Sequence, residues 1–263
     1  MLKIPSSYDI IGSKEKAVAI IEISDDLRKK EKEIADEILA RHKNVKSVLE
    51  KMSERKGPHR ITEYKLLAGN KNTEVIHKEN YCSYKLDPRL VYFSPREGTE
   101  RLLIANQVKP KETVMLMFSG IGAYAILIAK KQPKVNKIIA VEINHDAYEY
   151  MKENIRLNKQ GHKIIPILGD VKKKCKGWYS KCNRVIMPLP HEAEHFLEIA
   201  FKCINDHGII HMYTIEREDN VRDRVKTIIK KFRKKIKSYK IRKVLSYAPR
   251  TYKYCVDIKV LQP

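Results

Sequence analysis

The chain has 263 residues, 43% of them hydrophobic, enough for one large domain or a small domain followed by a medium one. Its 54 Lys and Arg against 32 Asp and Glu give a formal charge of +22, which favours a polyanionic partner, nucleic acid before an anionic membrane, although a solvated lysine coat has the same composition. Five cysteines (Cys82, Cys175, Cys182, Cys203, Cys255) with no Cys-x-x-Cys argue against a disulfide framework and a zinc site, and no cationic-then-apolar leader or bilayer-length apolar run is visible. These features predict a soluble, cytoplasmic protein with no resident metal and no membrane span.

In chain order, Ala17–Ile23 is short and β-branched, the pattern of a buried strand. Ser24 is placed to cap a helix with Asp25 and Asp26 in its first turn, where carboxylates suit the positive helix end. Leu27, Ile34, Ile38 and Leu39 form its apolar stripe and Arg41-His42-Lys43 close it. Val45–Met52 reads as a strand, and Gly57-Pro58 as a turn. The stretches 60–68, 74–79 and 81–87 carry further strand patterns around Gly69-Asn70-Lys71-Asn72. Residues 1–88 are therefore expected to form a small α+β domain, with Asp87-Pro88 opening the connection to a second domain, 89–263.

From Thr99 the pattern changes to alternating strands and helices, which predicts an α/β domain with a parallel sheet. Thr113–Met117 is an apolar run that breaks at Phe118-Ser119-Gly120-Ile121-Gly122 into a helix over Ala123–Lys131. Such a strand–glycine turn–helix lets the backbone approach a nucleoside-like ligand, and the two glycines fall short of the full dinucleotide fingerprint. The second strand, Lys137–Val141, ends in Glu142, about 20 positions past the turn, where a carboxylate can take both ribose hydroxyls. A third strand, Ile164–Leu168, ends in Gly169-Asp170, and a fourth, Arg184–Met187, in Pro188-Leu189-Pro190. This ordered set of a Gly-x-Gly turn, two acids and a Pro-rich loop suggests an S-adenosylmethionine site.

Asn144 is predicted to cap the following helix. Further elements are a helix at Glu192–Cys203, a strand at Gly208–Thr214, a helix at Asn220–Tyr239 and two final strands, Ile241–Ser246 and Tyr252–Val260. Closing on an antiparallel-looking pair suits the seven-stranded methyltransferase variant of the doubly wound fold.

Several polar groups have two readings. Glu100-Arg101 sits just before the first strand, beside the expected crevice, and reads equally as a solvated ion pair. Arg60 reads as an exposed strand cation. Lys172-Lys173-Lys174 and the run Lys230–Lys235 are solvated faces or a track for a phosphate backbone. His191 and His195 share a helical face but lack a third ligand.

Beyond these local readings, Asn72-Thr73-Glu74-Val75-Ile76-His77-Lys78-Glu79-Asn80, Phe93-Ser94-Pro95-Arg96 with Thr99-Glu100-Arg101, and Met117-Phe118-Ser119-Gly120-Ile121-Gly122 resemble the archaeal and eukaryotic tRNA (guanine-37-N1)-methyltransferase family. So do Val141-Glu142-Ile143-Asn144, Leu168-Gly169-Asp170 and Ser246-Tyr247-Ala248-Pro249-Arg250, in the same order, over most of the chain. The resemblance implies a class I, Rossmann-like, seven-stranded S-adenosylmethionine-dependent methyltransferase domain preceded by a small α+β domain. The substrate would be the tRNA anticodon loop at position 37, bound by a monomer. Ser94, Arg101, Phe118, Glu142, Ile143, Asp170 and Val171 would hold S-adenosylmethionine, Glu100 would be the general base, and Arg60 would reach toward the target base.

Two departures stand out. Family members often begin with an additional small domain, and the resemblance aligns residues 1–88 with the second, so the tRNA-checking step of the first is not expected from these residues. The family's usual Asn at the fourth strand is here Pro188, which keeps a carbonyl acceptor but loses the side-chain amide and the backbone donor. Fewer polar constraints would admit a larger tricyclic base, so the resemblance is strongest to an archaeal branch that also methylates C7 of 4-demethylwyosine. A sister group transfers the aminocarboxypropyl group to that tricycle instead. The intact Pro95-Arg96 and Thr99-Glu100-Arg101 favour methyl transfer, and Glu100, Glu142 and Asp170 together weigh against a non-catalytic tRNA binder.

Overall fold

The computed structural model describes residues 8–53 and 62–261. Arg60 and the Gly57-Pro58 turn lie outside the described residues. The N-terminal part is a four-stranded sheet in the order β1 (Asp9–Gly12), β2 (Ala17–Ile21), β3 (Val45–Lys51), β4 (Tyr64–Gly69). Parallel β2 and β3 are joined by α1 (Glu31–Arg41), and the outer pairs are antiparallel. Period-two alternation sorts β2 between two cores. Ala17, Ala19 and Ile21 pack on Ile34, Ala35 and Ile38 of α1, while Val18 faces the rest of the molecule with Ile11 and Leu49. Ser24 does not cap a regular helix. A 3-10 segment, Asp25–Lys30, precedes α1, and the Ser24 side chain makes no capping bond.

The hairpin β5 (Val75–Glu79)–β6 (Cys82–Leu86), read with the small domain from sequence, bonds to both parts: His77 accepts from Gly12 N–H and Lys78 donates to Glu15 on one side, and β6 docks on α4 (His145–Leu157) on the other. Asn154 and Asn158, four apart on α4 and at its C-terminal cap, each pair with both backbone groups of one β6 residue, Lys85 and Ser83 respectively. The Tyr84 hydroxyl donates to the Ala123 carbonyl at 3.2 Å.

After the hairpin, a 3-10 turn at Pro95–Glu97 runs into α2 (Gly98–Gln107). The chain continues with β7 (Thr113–Met117), α3 (Ala123–Lys131), β8 (Lys137–Glu142), α4, β9 (Ile164–Leu168), the single turn α5 (Val171–Lys174) and β10 (Cys182–Met187). After these come α6 (Leu197–Cys203), β11 (Ile204–Arg217), α7 (Val221–Ile229), β12 (Ile236–Ala248) and β13 (Thr251–Val260). The seven strands lie in the order β12-β13-β11-β10-β7-β8-β9. β13 is antiparallel to β11 and β12, and the other pairings are parallel. Alternation again divides the core: Val114 and Leu116 face the α2–α4 side, and Met115 and Met117 face α6 and α7.

The helix expected over Asn220–Tyr239 stops early. It is α-helical to Ile229, turns as 3-10 through Lys230–Lys235, and β12 then starts at Ile236, paired with Val260. Val225, Ile229 and Phe232 are buried at helical spacing, so the periodicity holds up to the point where sheet pairing takes over. Among the described residues no helix is long and apolar enough to cross a membrane.

Candidate active site

In a doubly wound sheet, ligands settle outside the strand carboxyl ends where the order reverses, here beside β7, with β8 and β10 on its two sides. A cleft lies there. Its walls are Tyr92, Phe118, Gly120, Glu142, Ile143, Asn144, Asp170, Val171, Pro188, Leu189 and Phe196, among others. The backbone is shaped for it. Phe118 and Gly120 have left-handed φ angles of 59° and 55°, and a non-glycine residue held there stores strain. A Cβ on Gly120 would meet no protein atom closer than the Tyr92 oxygen at 4.0 Å, so protein packing does not exclude a side chain there. It would project into the cleft, which accounts for glycine at a point of close ligand approach.

The Glu142 carboxylate closes the turn electrostatically. It accepts from Gly120 N–H at 2.6 Å, Ile143 N–H at 2.9 Å and Asn144 N–H at 2.8 Å, which fixes it at the cleft wall between two loops. Asn144 then caps α4, as its sequence position predicts, accepting from Asp146 and Ala147 N–H. Asp170 does the same for α5 by accepting from Lys172 N–H. The Phe118 ring meets Phe196 edge-on at 4.9 Å, forming an apolar lip.

A second, larger cavity opens between the two domains. It is lined by Asp9, Glu22 and Lys51 from the small domain and by Ser94, Arg96, Glu97, Pro188, Pro190, His191, Ser246, Tyr247 and Lys253 from the large one. Tyr92, Pro188 and Glu192 line both cavities, so the two spaces meet there.

The structure therefore brings Phe118, Glu142, Ile143, Asp170 and Val171 to the cleft, Pro188 to the junction and Ser94 to the second cavity. It does not bring Arg101 or Glu100 to the described walls of either, and neither is a solvated pair. They are only 3% and 5% exposed and turn to different partners. Arg101 forms a two-pronged bond to Glu79 at 2.7 Å, also donates to the Ser94 carbonyl at 2.9 Å, and stacks over Phe93. Burial would raise the Glu79 carboxyl, but His77 and Arg101 hold it below the usual range. Arg101 thus fixes the Ser94 segment from behind.

Both oxygens of Glu100 accept from Arg242, at 2.5 and 2.8 Å, and Oε1 also accepts from the Tyr213 hydroxyl at 2.5 Å. Burial pushes the Tyr213 hydroxyl well above its usual pKa, which keeps it a donor. Behind Arg242 lies Asp257, 3.8 Å away, and His211 sits between Asp257 (2.6 Å) and Arg184 (2.5 Å). Burial lowers the His211 pKa, against the pull of Asp257. The group His211, Cys255 and Asp257 is close enough to hold a metal, but two guanidiniums face it and its polar atoms are already bonded to one another. His195 is exposed, and His191 lies against Tyr247 at 5.8 Å.

Fold and cleft together define a class I methyltransferase domain with a nucleoside cleft that opens onto an interdomain cavity. Residues 75–242 match the TRM5/TYW2 methyltransferase domain and residues 1–73 the TYW2 N-terminal domain; the chain belongs to the TRM5/TYW2 family. It is similar to Trm5b of Pyrococcus abyssi, a tRNA (guanine(37)-N(1))-methyltransferase, at 41% identity over 98% of this chain and 76% of the relative. It is also similar to the tRNA (guanine(37)-N(1))/4-demethylwyosine(37)-methyltransferase Taw22 of Nanoarchaeum equitans, at 30% over 97% and 100%. Among solved structures it resembles the complex of aTrm5 and tRNALeu (TM-score 0.82, 39% identity, covering 98% and 72%). It likewise resembles Methanocaldococcus jannaschii TYW2 with AdoMet (TM-score 0.74, 30% identity, covering 98% and 100%).

Proposed function

We propose that this chain is a cytoplasmic, monomeric tRNA methyltransferase. It transfers the methyl group of S-adenosylmethionine to N1 of guanosine at position 37 in the anticodon loop, and also to C7 of 4-demethylwyosine at that position. The observation that carries the reading is the meeting of the nucleoside cleft and the interdomain cavity at Tyr92 and Pro188. A methyl donor in one space and a base turned out of the loop into the other would face each other across that junction. The relatives named above, from N1-methylating to dual-substrate enzymes, support the same reading.

In the cleft, Glu142 accepts the ribose hydroxyls while its backbone donors hold it in place, and Phe118, Ile143 and Val171 cover the adenosine with Asp170 at its edge. Bound there, S-adenosylmethionine supplies an electrophilic methyl on sulfur. Guanine N1 is a poor nucleophile until its proton leaves, and Glu100 is the proposed acceptor. Arg242 and Tyr213 already occupy both its oxygens, so the incoming base must share or displace one donor. Arg60, outside the described residues, is the proposed guanidinium for the charge that then develops on O6. Pro188 at the junction leaves room for the tricycle. The small domain is proposed to span 1–88, with the 75–86 hairpin serving as the hinge piece docked on α4.

The test is single-turnover methyl transfer to tRNA transcripts carrying guanosine or adenosine at position 37. Label should enter only the guanosine transcript. Equal labelling of both, or none, would contradict the reading.

A further inference from the structure

The second cavity contains a charged pair that the mechanism above does not use. Glu97 and Lys253 are joined at 2.8 Å, with side chains only 8% and 5% exposed, and both line the cavity wall. Lysine and glutamate are rarely buried so completely unless paired, and a buried pair is a poor stability device because desolvation offsets most of its attraction. Its position makes a recognition role the better explanation. Glu97 stands at the N-cap of α2 yet makes no capping bond; its carboxylate turns instead to Lys253 and accepts from the Tyr92 hydroxyl at 3.1 Å. Tyr92 is one of the residues at which the two cavities meet, so the pair is one hydrogen bond from the junction. On the other side, the Lys253 ammonium lies over the Tyr213 ring at 4.8 Å, and Tyr213 donates to Glu100. Lys253 is also set in the sheet between its register partners Ile215 and Leu245, which line the same cavity.

We propose that Glu97 and Lys253 are specificity-determining residues that read the Watson–Crick edge of the target base. This rests on the guanosine-37 reading and deepens it. A guanine edge presents an acceptor, O6, beside two donor groups, N1–H and the N2 amine. An ammonium next to a carboxylate presents the complement: Lys253 donates to O6 and Glu97 accepts from the amine. Adenine reverses the O6 position to a donor, which the ammonium rejects. Inosine lacks the amine, and a tricycle closed across N1 and N2 has no donors there. The pair therefore favours guanosine over both, while Pro188, which lines the same cavity at its junction with the cleft, supplies the tolerance for size.

The test compares wild type, Glu97→Gln, and a Glu97→Leu/Lys253→Ile double variant that removes the pair without stranding either charge. Methyl transfer is measured on transcripts with guanosine or inosine at position 37 and on tRNA carrying the tricycle. Thermal unfolding and S-adenosylmethionine affinity are read in parallel. Both variants should stay folded and bind S-adenosylmethionine as wild type does, since neither residue lines the nucleoside cleft. Preference for guanosine over inosine should fall about 10- to 100-fold, the worth of one hydrogen bond to a charged group. The tricycle rate should be unchanged or higher. A folded double variant that keeps the wild-type guanosine preference overturns the assignment alone. A wild-type enzyme that methylates no base at position 37 overturns the functional reading and this assignment together.

Discussion

The nucleoside cleft and the interdomain cavity meet at shared residues but are built in opposite ways. The cleft is made from short segments, each at a strand end: Phe118–Gly120, Glu142–Asn144, Gly169–Val171 and Pro188–Leu189. Most of its polar geometry is backbone held by one nearby side chain, as with Glu142 and its three N–H donors. The cavity's chemistry comes from side chains far apart in sequence. On its walls Glu97 pairs with Lys253 from the last strand and Arg96 with Asp9 from the first, and just behind them Glu100 meets Arg242 and Tyr213. A cofactor common to many enzymes can be held by a local, reusable cradle, whereas a particular base needs groups collected from the whole chain.

Predictions that would break or sharpen this contrast run from the largest effect down. Glu100→Gln removes the proposed proton acceptor and should cost about 100- to 10,000-fold in single-turnover rate. Calorimetric titration should find S-adenosylmethionine affinity almost untouched, because Glu100 does not line the cleft; a joint loss would merge the two sites. Glu142→Ala should do the reverse, weakening S-adenosylmethionine about 10- to 100-fold while tRNA binding, followed by filter retention, stays near wild type. Pro188→Asn lies at the junction and should move the product ratio several-fold toward guanosine and away from the tricycle. An unchanged ratio would show that this loop does not set substrate size.

The smallest effect is on stability. His211 has its pKa lowered from 6.5 by burial, so as pH falls below that value the unfolded chain takes up a proton that the folded chain refuses. Stability from this group is therefore lost as pH falls from 6.5 toward the depressed folded value. Glu97, whose burial would raise it but which Lys253 and Tyr92 hold low, adds a loss at more acid pH. Melting curves across pH 7 to 4 should show a fall beginning near 6.5, and His211→Gln should flatten its first part.

The same contrast explains what could be read from the sequence. The strand–turn–helix at Phe118–Gly122, the acid at Glu142 and the Asn144 cap are local signals with fixed spacing, and the structure has them at those positions. Glu97, Tyr213, Arg242 and Lys253 carry no such signal, because an isolated charge or tyrosine on a strand looks the same whether it faces solvent or a partner on another element. Glu100 and Arg101 show this directly. Adjacent in sequence, they resemble a solvated pair, yet successive helical positions point apart and each finds its own buried partner. The end of α7 was hidden for a related reason, since the pairing of Ile236 with Val260 is a long-range fact.

The most direct measurement is mass spectrometry of tRNA nucleosides after incubation with S-adenosylmethionine, with unmodified transcript and tRNA carrying 4-demethylwyosine run side by side. The account predicts a gain of one methyl on guanosine-37 in the first and on the tricycle in the second. An aminocarboxypropyl adduct on the tricycle with no methylated guanosine would contradict it.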